Sequence, residues 1–91
     1  MSIRVRIPTP LRKLTREQDV VQAEGATLSA CIDGLDVAYP GLKERLVDET
    51  GELRRFVNIY INGEDVRFSD GVNTALKVGD EVSIVPAVAG G

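Results

Sequence analysis

The sequence predicts an α+β domain in which one main helix lies on one face of a mixed sheet of four to five strands. Three observations carry this. Ile3-Arg4-Val5-Arg6-Ile7 alternates apolar and basic side chains with period two, the pattern of a half-buried strand. Leu28, Cys31, Ile32, Leu35 and Tyr39 recur at the spacing of one helical stripe. Phe56-Val57-Asn58-Ile59-Tyr60-Ile61 is dense in β-branched and aromatic residues, which suit a pleated, half-buried surface. A single amphipathic helix has to bury its stripe against the sheet that such strands form.

Each element follows in order. The first strand ends at Pro8-Thr9-Pro10, because proline cannot donate to a ladder in a sheet interior. Leu11–Arg16 reads as a loop, and Asp19–Ala23 as a second strand antiparallel to the first. Gly25-Ala26-Thr27 switches the period, and Thr27 is placed to accept from a first-turn N–H as the helix N-cap. Gly34 weakens the helix by about 1 kcal/mol relative to Ala. Pro40-Gly41 stops it. Leu42–Val47 reads as a short helical turn and Asp48–Glu52 as a polar loop. After the Phe56–Ile61 strand, Asn62-Gly63 signals a tight turn into a return strand, Glu64–Phe68. Ser69-Asp70-Gly71 breaks the chain, Val72–Leu76 is expected to make a helical turn, and Glu81–Pro86 is the last strand. Residues 1–86 therefore form the domain, and 87–91 a flexible tail. The helix stripe is expected to be buried against one face of a mixed sheet with the first and last strands central. That is the β-grasp arrangement, and the strand order leans on its resemblance to ubiquitin-like proteins.

Composition excludes several kinds of chemistry. The chain has 91 residues, 43% of them hydrophobic and 27% charged, as expected of one globular domain. It has no His and a single Cys. That removes His general acid–base catalysis, Ser–His and Cys–His pairs, the usual zinc and iron–sulfur ligand sets, and any disulfide within the chain. A lone thiol suits a reducing compartment, and Arg4 and Arg6 interrupt the N-terminal apolar run. The expectation is a cytoplasmic protein without signal peptide or membrane span, with no bound cofactor or metal, and not itself an enzyme. Cys31 falls on the helix stripe, where a free thiol behaves as a small buried hydrophobe. Residues 1–16 carry five bases and no acid, whereas all 14 acids lie from Glu17 onward. One basic stripe beside an acidic body reads as a solvated face and is too small a field for nucleic acid. Asp48-Glu49 lacks the spacing of a calcium loop.

The end of the chain, Pro86-Ala87-Val88-Ala89-Gly90-Gly91, draws the chemical reading. Glycine has no Cβ, so a Gly-Gly end is slender enough for a narrow channel. Five residues beyond Pro86 reach about 17 Å when extended. A carboxylate is a poor electrophile until activated, and an activated glycyl carbonyl offers little steric hindrance to sulfide or an amine. Alternation also defines a face. If Ile3, Val5, Ile7, Val57, Ile59, Ile61, Val82 and Ile84 face the helix, then Arg4, Arg6, Phe56, Asn58, Tyr60, Ser83 and Val85 face away. Of these, Phe56, Tyr60, Val85, Arg4 and Arg6 have the composition of a protein-docking patch.

Residues Asn73–Gly91, with Val78-Gly79-Asp80-Glu81-Val82, an apolar strand, Pro86 and the closing Gly90-Gly91, resemble the C-terminal signature of the MoaD/ThiS sulfur-carrier family. Arg55–Phe68, Ile7-Pro8-Thr9 and Pro86–Gly91 resemble its CysO-type branch, and the resemblance covers essentially the whole chain. It implies that Gly91 is adenylated by a ubiquitin-activating-like enzyme using ATP and magnesium, then converted to a thiocarboxylate by that enzyme's sulfurtransferase activity. Ala87, Val88, Ala89 and Gly90 would carry it into the acceptor, which in the CysO-type branch is a pyridoxal-phosphate cysteine synthase. Molybdopterin-synthase small subunits more often carry aromatics where Ile84 and Val85 stand, which disfavours a pterin acceptor. A ubiquitin-like modifier joined through Gly91 to a lysine, and a plain interaction domain, are the other readings.

Overall fold

The computed structural model describes residues 2–55 and 57–86. Strand β1 (Ile3–Arg6) pairs antiparallel with β2 (Val20–Ala23), with Val5 opposite Val21. Helix α1 (Leu28–Ala38) and the one-turn helix α2 (Leu42–Leu46) follow. Strand β3 (Val57–Ile61) turns into the two-residue β4 (Glu64–Asp65), and β5 (Glu81–Pro86) closes the described fold. The sheet order is β2-β1-β5-β3-β4, so the first and last strands are central. β5 runs parallel to β1 and antiparallel to β3. This is the β-grasp arrangement.

The two periodicities account for the core. Ile3, Val5 and Ile7 from one side of the sheet's first segment are buried together with Ile59, Ile61, Val82 and Ile84. Leu28, Cys31, Ile32 and Leu35 of α1 and Leu42 and Leu46 of α2 close over them in one cluster. Tyr39 and Val57 pack at its margin, half-buried. Thr27 caps α1 as its sequence position predicts, its Oγ1 accepting from the Ala30 N–H at 3.2 Å. Asn62 and Gly63 both take positive φ, 52° and 88°, the geometry of a two-residue hairpin turn. Gly25 is needed for a different reason: a Cβ there would lie 2.5 Å from the Cys31 backbone nitrogen. Only a glycine lets the β2–α1 connection approach the first turn of α1 so closely.

Three expectations are corrected. Leu11–Arg16 is not an open loop: Thr9–Thr15 forms a 3-10 helix, with the buried Thr15 hydroxyl donating to Gln18 O at 2.9 Å. The return strand does not reach Phe68. It stops at Asp65, whose carboxylate accepts the Arg67 N–H at 2.8 Å and so turns Val66–Phe68 into a 3-10 turn that buries Val66. Val72–Leu76 does not form a helical turn throughout. A 3-10 turn covers Gly71–Asn73, after which Ala75 bridges to Thr27, with Leu28 N–H donating to Thr74 O and Leu76 N–H to Ala26 O. Those two backbone bonds stabilise an extended segment that a helix would forfeit.

Candidate functional site

The site is built on the sheet face opposite the helices. Cross-strand partners share a face, so the register decides what meets there. Arg4 pairs with Glu81, and Arg6 with Ser83, which is also opposite Tyr60. Arg6, Ser83 and Tyr60 thus form a row across the three central strands. Val85 and Asn58 form the next row, toward the end of β5. Arg4, Arg6, Tyr60 and Val85 are brought together on one face as their alternation predicts, and Val85 is 41% exposed. Phe56 and the tail residues Ala87, Val88, Ala89, Gly90 and Gly91 lie outside the described residues.

Charge on this face is partly balanced within the chain. Glu81 Oε2 lies 3.2 Å from Arg6 Nε and 3.7 Å from Arg4 Nη1. Both arginine side chains remain more than half exposed, at 60% and 58%, so each pair contributes only about 0.2–1 kcal/mol and can be exchanged for an outside carboxylate. Glu81 was detectable from sequence, since it has the same strand parity as Ser83 and Val85. The basic N-terminal stripe is not one solvated face. Arg4 and Arg6 sit on the sheet, whereas Arg12 Nε donates to Ile7 O at 3.0 Å and braces the turn after β1.

Two further networks flank the face. At the start of β5, Asp80 is buried, accepting from Asn62 Nδ2 on Oδ1 and from the Lys77 N–H on Oδ2, both at 2.9 Å. The bond from Asn62, then that from the Lys77 backbone, holds the Asp80 carboxyl below its ordinary range. Asn62 Oδ1 in turn accepts the Glu81 N–H at 3.0 Å. At the far end of β5, Arg67 braces β3 through Arg54 O, Val57 O and Asn58 Oδ1. Nothing in the local pattern signals this, because Arg67 is an isolated base in a turn. Arg54 also ties its loop to α2, its Nε donating to Glu44 O at 2.7 Å.

Cys31 takes the core position that its stripe predicts. It is wholly enclosed, and burial pushes its thiol up to about 11, so at neutral pH the nucleophilic thiolate is scarce. Asp48 Oδ1 accepts from the Thr50 hydroxyl and from the Thr50 and Glu52 N–H groups, folding its own loop. Among the described residues no group of three His, Cys, Asp or Glu could hold a metal ion, and no helix is long and apolar enough to cross a membrane.

The match to the ThiS family model runs over residues 5–91, from β1 through the face and the tail. The chain belongs to the ThiS family. It is 55% identical over 93 aligned residues to the sulfur carrier protein CysO of Mycobacterium tuberculosis, with all of both chains covered. A crystal structure of that CysO superimposes with a TM-score of 0.91 at 53% identity, covering 94% of this chain and 99% of that one. CysO in the Amycolatopsis orientalis BexX/CysO complex superimposes with a TM-score of 0.93 at 48% identity, covering 98% of this chain and 99% of that one. This ThiS-family chain is thus a full-length homologue of the sulfur carrier CysO, as its motifs implied.

Proposed function

We propose that this protein is a sulfur carrier whose Gly91 carboxylate is the reacting group, and that it is a substrate for its partners' catalysis. In the first step a Gly91 carboxylate oxygen attacks the α-phosphorus of ATP, held with magnesium by an adenylating partner, and pyrophosphate leaves. Hydrosulfide from a sulfur donor then adds to the glycyl carbonyl carbon. AMP departs and a proton is lost, leaving a terminal C(=O)S⁻. The thiocarboxylate sulfur is softer and more nucleophilic than a carboxylate oxygen, and it passes to an acceptor enzyme. Homology to CysO favours an acceptor in cysteine biosynthesis, a pyridoxal-phosphate cysteine synthase.

The observation that carries this reading is the continuity of β5. Its outward-facing residues Glu81, Ser83 and Val85 form the middle of the outer face, and the same stretch of sequence leads into the Gly90-Gly91 end that the family match includes. A partner docked over Arg4, Arg6, Tyr60 and Val85 would lie beside the end of β5, from which the sequence runs on to Gly91. The related carrier bound in the BexX/CysO complex supports protein docking as the working state.

The test is intact mass after incubation with an adenylating enzyme from the same source, ATP, magnesium and a sulfide donor. A gain equal to exchange of one oxygen for sulfur is expected, and a variant lacking Gly91 should show none. No gain with an enzyme active on another carrier would overturn the proposal. Conjugates that persist under reducing, denaturing conditions would point to a protein modifier instead.

A further inference from the structure

We propose that Arg67 is a positioning residue for the Gly91 terminus, acting through the end of the β3–β5 ladder. This deepens the carrier reading and rests on it. β4 pairs with Tyr60 and Ile61, so among the described residues the edge of β3 from Val57 to Ile59 has no neighbouring strand. Asn62 N–H donates to Glu81 O, which makes Tyr60–Ser83 and Asn58–Val85 the hydrogen-bonded pairs of the β3–β5 ladder. The Val57 carbonyl therefore points away from β5, toward the place where β4 is missing.

Arg67 fills that place. Its Nη2 donates to Val57 O at 2.7 Å and to Arg54 O at 2.9 Å, and its Nη1 donates to Asn58 Oδ1. The planar guanidinium thus takes the place of a strand partner at the Val57 carbonyl and ties down the Asn58 side chain beside it. On their other side these two residues pair with Pro86 and Val85, the last described residues before the tail. The Asp65 cap on the Arg67 N–H turns the chain so that the side chain can reach back. One side chain from the turn after β4 consequently holds the platform from which the reactive terminus departs. Misplacing a reacting group by about 1 Å can cost roughly a hundredfold in rate.

The test compares wild type, Arg67→Ala, Arg67→Lys and Asn58→Ala in two readouts. In the free protein, hydrogen exchange at the Val85 amide should speed up at least tenfold in Arg67→Ala, with Val5 and Val82 unchanged. In thiocarboxylate formation, kcat should fall about tenfold or more while KM for the carrier stays within twofold. Arg67→Lys and Asn58→Ala should fall between Arg67→Ala and wild type, and they keep the test open if Arg67→Ala does not fold. Unchanged Val85 exchange, or uniform acceleration at all three amides, would overturn the proposal. So would a raised KM with unchanged kcat, which would make Arg67 a partner contact. A wild-type chain that forms no thiocarboxylate overturns the carrier reading itself, whereas an active wild type matched by Arg67→Ala overturns only the role of Arg67.

Discussion

On the inner face of the sheet, Val5, Ile59 and Val82 are enclosed beneath α1 and α2, with essentially no surface left to water. One residue along each of the same strands, Arg6, Tyr60 and Ser83 form a row on the outer face that no helix covers among the described residues. The inner side chains are aliphatic and interchangeable in kind, and each removes apolar area from water at about 25 cal/mol per Å². The outer ones differ from each other and are held by exposed ion pairs and partial burial, which contribute little to stability. The contrast separates two tasks within each strand. Stability resides where residues are alike and enclosed, whereas the proposed docking face is where they are unlike and accessible.

The largest test of that contrast is Ile59→Ala. It should cost about 2–5 kcal/mol in urea denaturation, because the removed atoms leave a cavity under two helices. A loss below about 1 kcal/mol would break the division between the faces. Asp80→Asn comes next, at the boundary where β5 begins. Its carboxylate accepts two hydrogen bonds, and charged acceptors of this kind contribute about 1.5–3 kcal/mol each at most. Because the folded-state pKa is lowered, the contribution is present above the ordinary carboxylate value of about 3.9 and is lost as pH falls through the lower folded value. Denaturation at neutral pH should show Asp80→Asn less stable than wild type, and the gap should close in acid. A gap independent of pH would show that the charge is not what matters there. The smallest effect on stability is expected for Tyr60→Ala, about 1 kcal/mol or less. Its sub-saturating rate of activation should nevertheless fall about tenfold, as for an aromatic interface anchor. Equal rates for mutant and wild type would remove Tyr60 from the docking face.

How much of this was legible depended on the range of the interaction. The strand and helix periods, the Thr27 cap and the Asn62-Gly63 turn are local, and all four appear where the sequence places them. Cys31 was legible as core from its stripe alone. The segments that depart from expectation are set by particular side-chain and backbone partners that periodicity does not register. Thr74–Leu76 is extended because it bonds to Ala26–Leu28, and the return strand ends early because Asp65 caps the turn that follows it. On the site, alternation placed Arg4, Arg6, Tyr60 and Val85 on one face, but it could not show that Glu81 lies between the two arginines.

By itself, the sequence determined which residues face inward and where the helix starts and stops. Those features follow from backbone period, capping and steric freedom within a few residues. Only the tertiary structure decided that Glu81 meets both Arg4 and Arg6, that Asn62 and Asp80 lock the start of β5, and that Arg67 stands in for a missing strand beside Val57. The physical reason is register. Alternation assigns a side chain to a face, whereas its neighbours on that face are fixed only when segments remote in the chain are packed against one another.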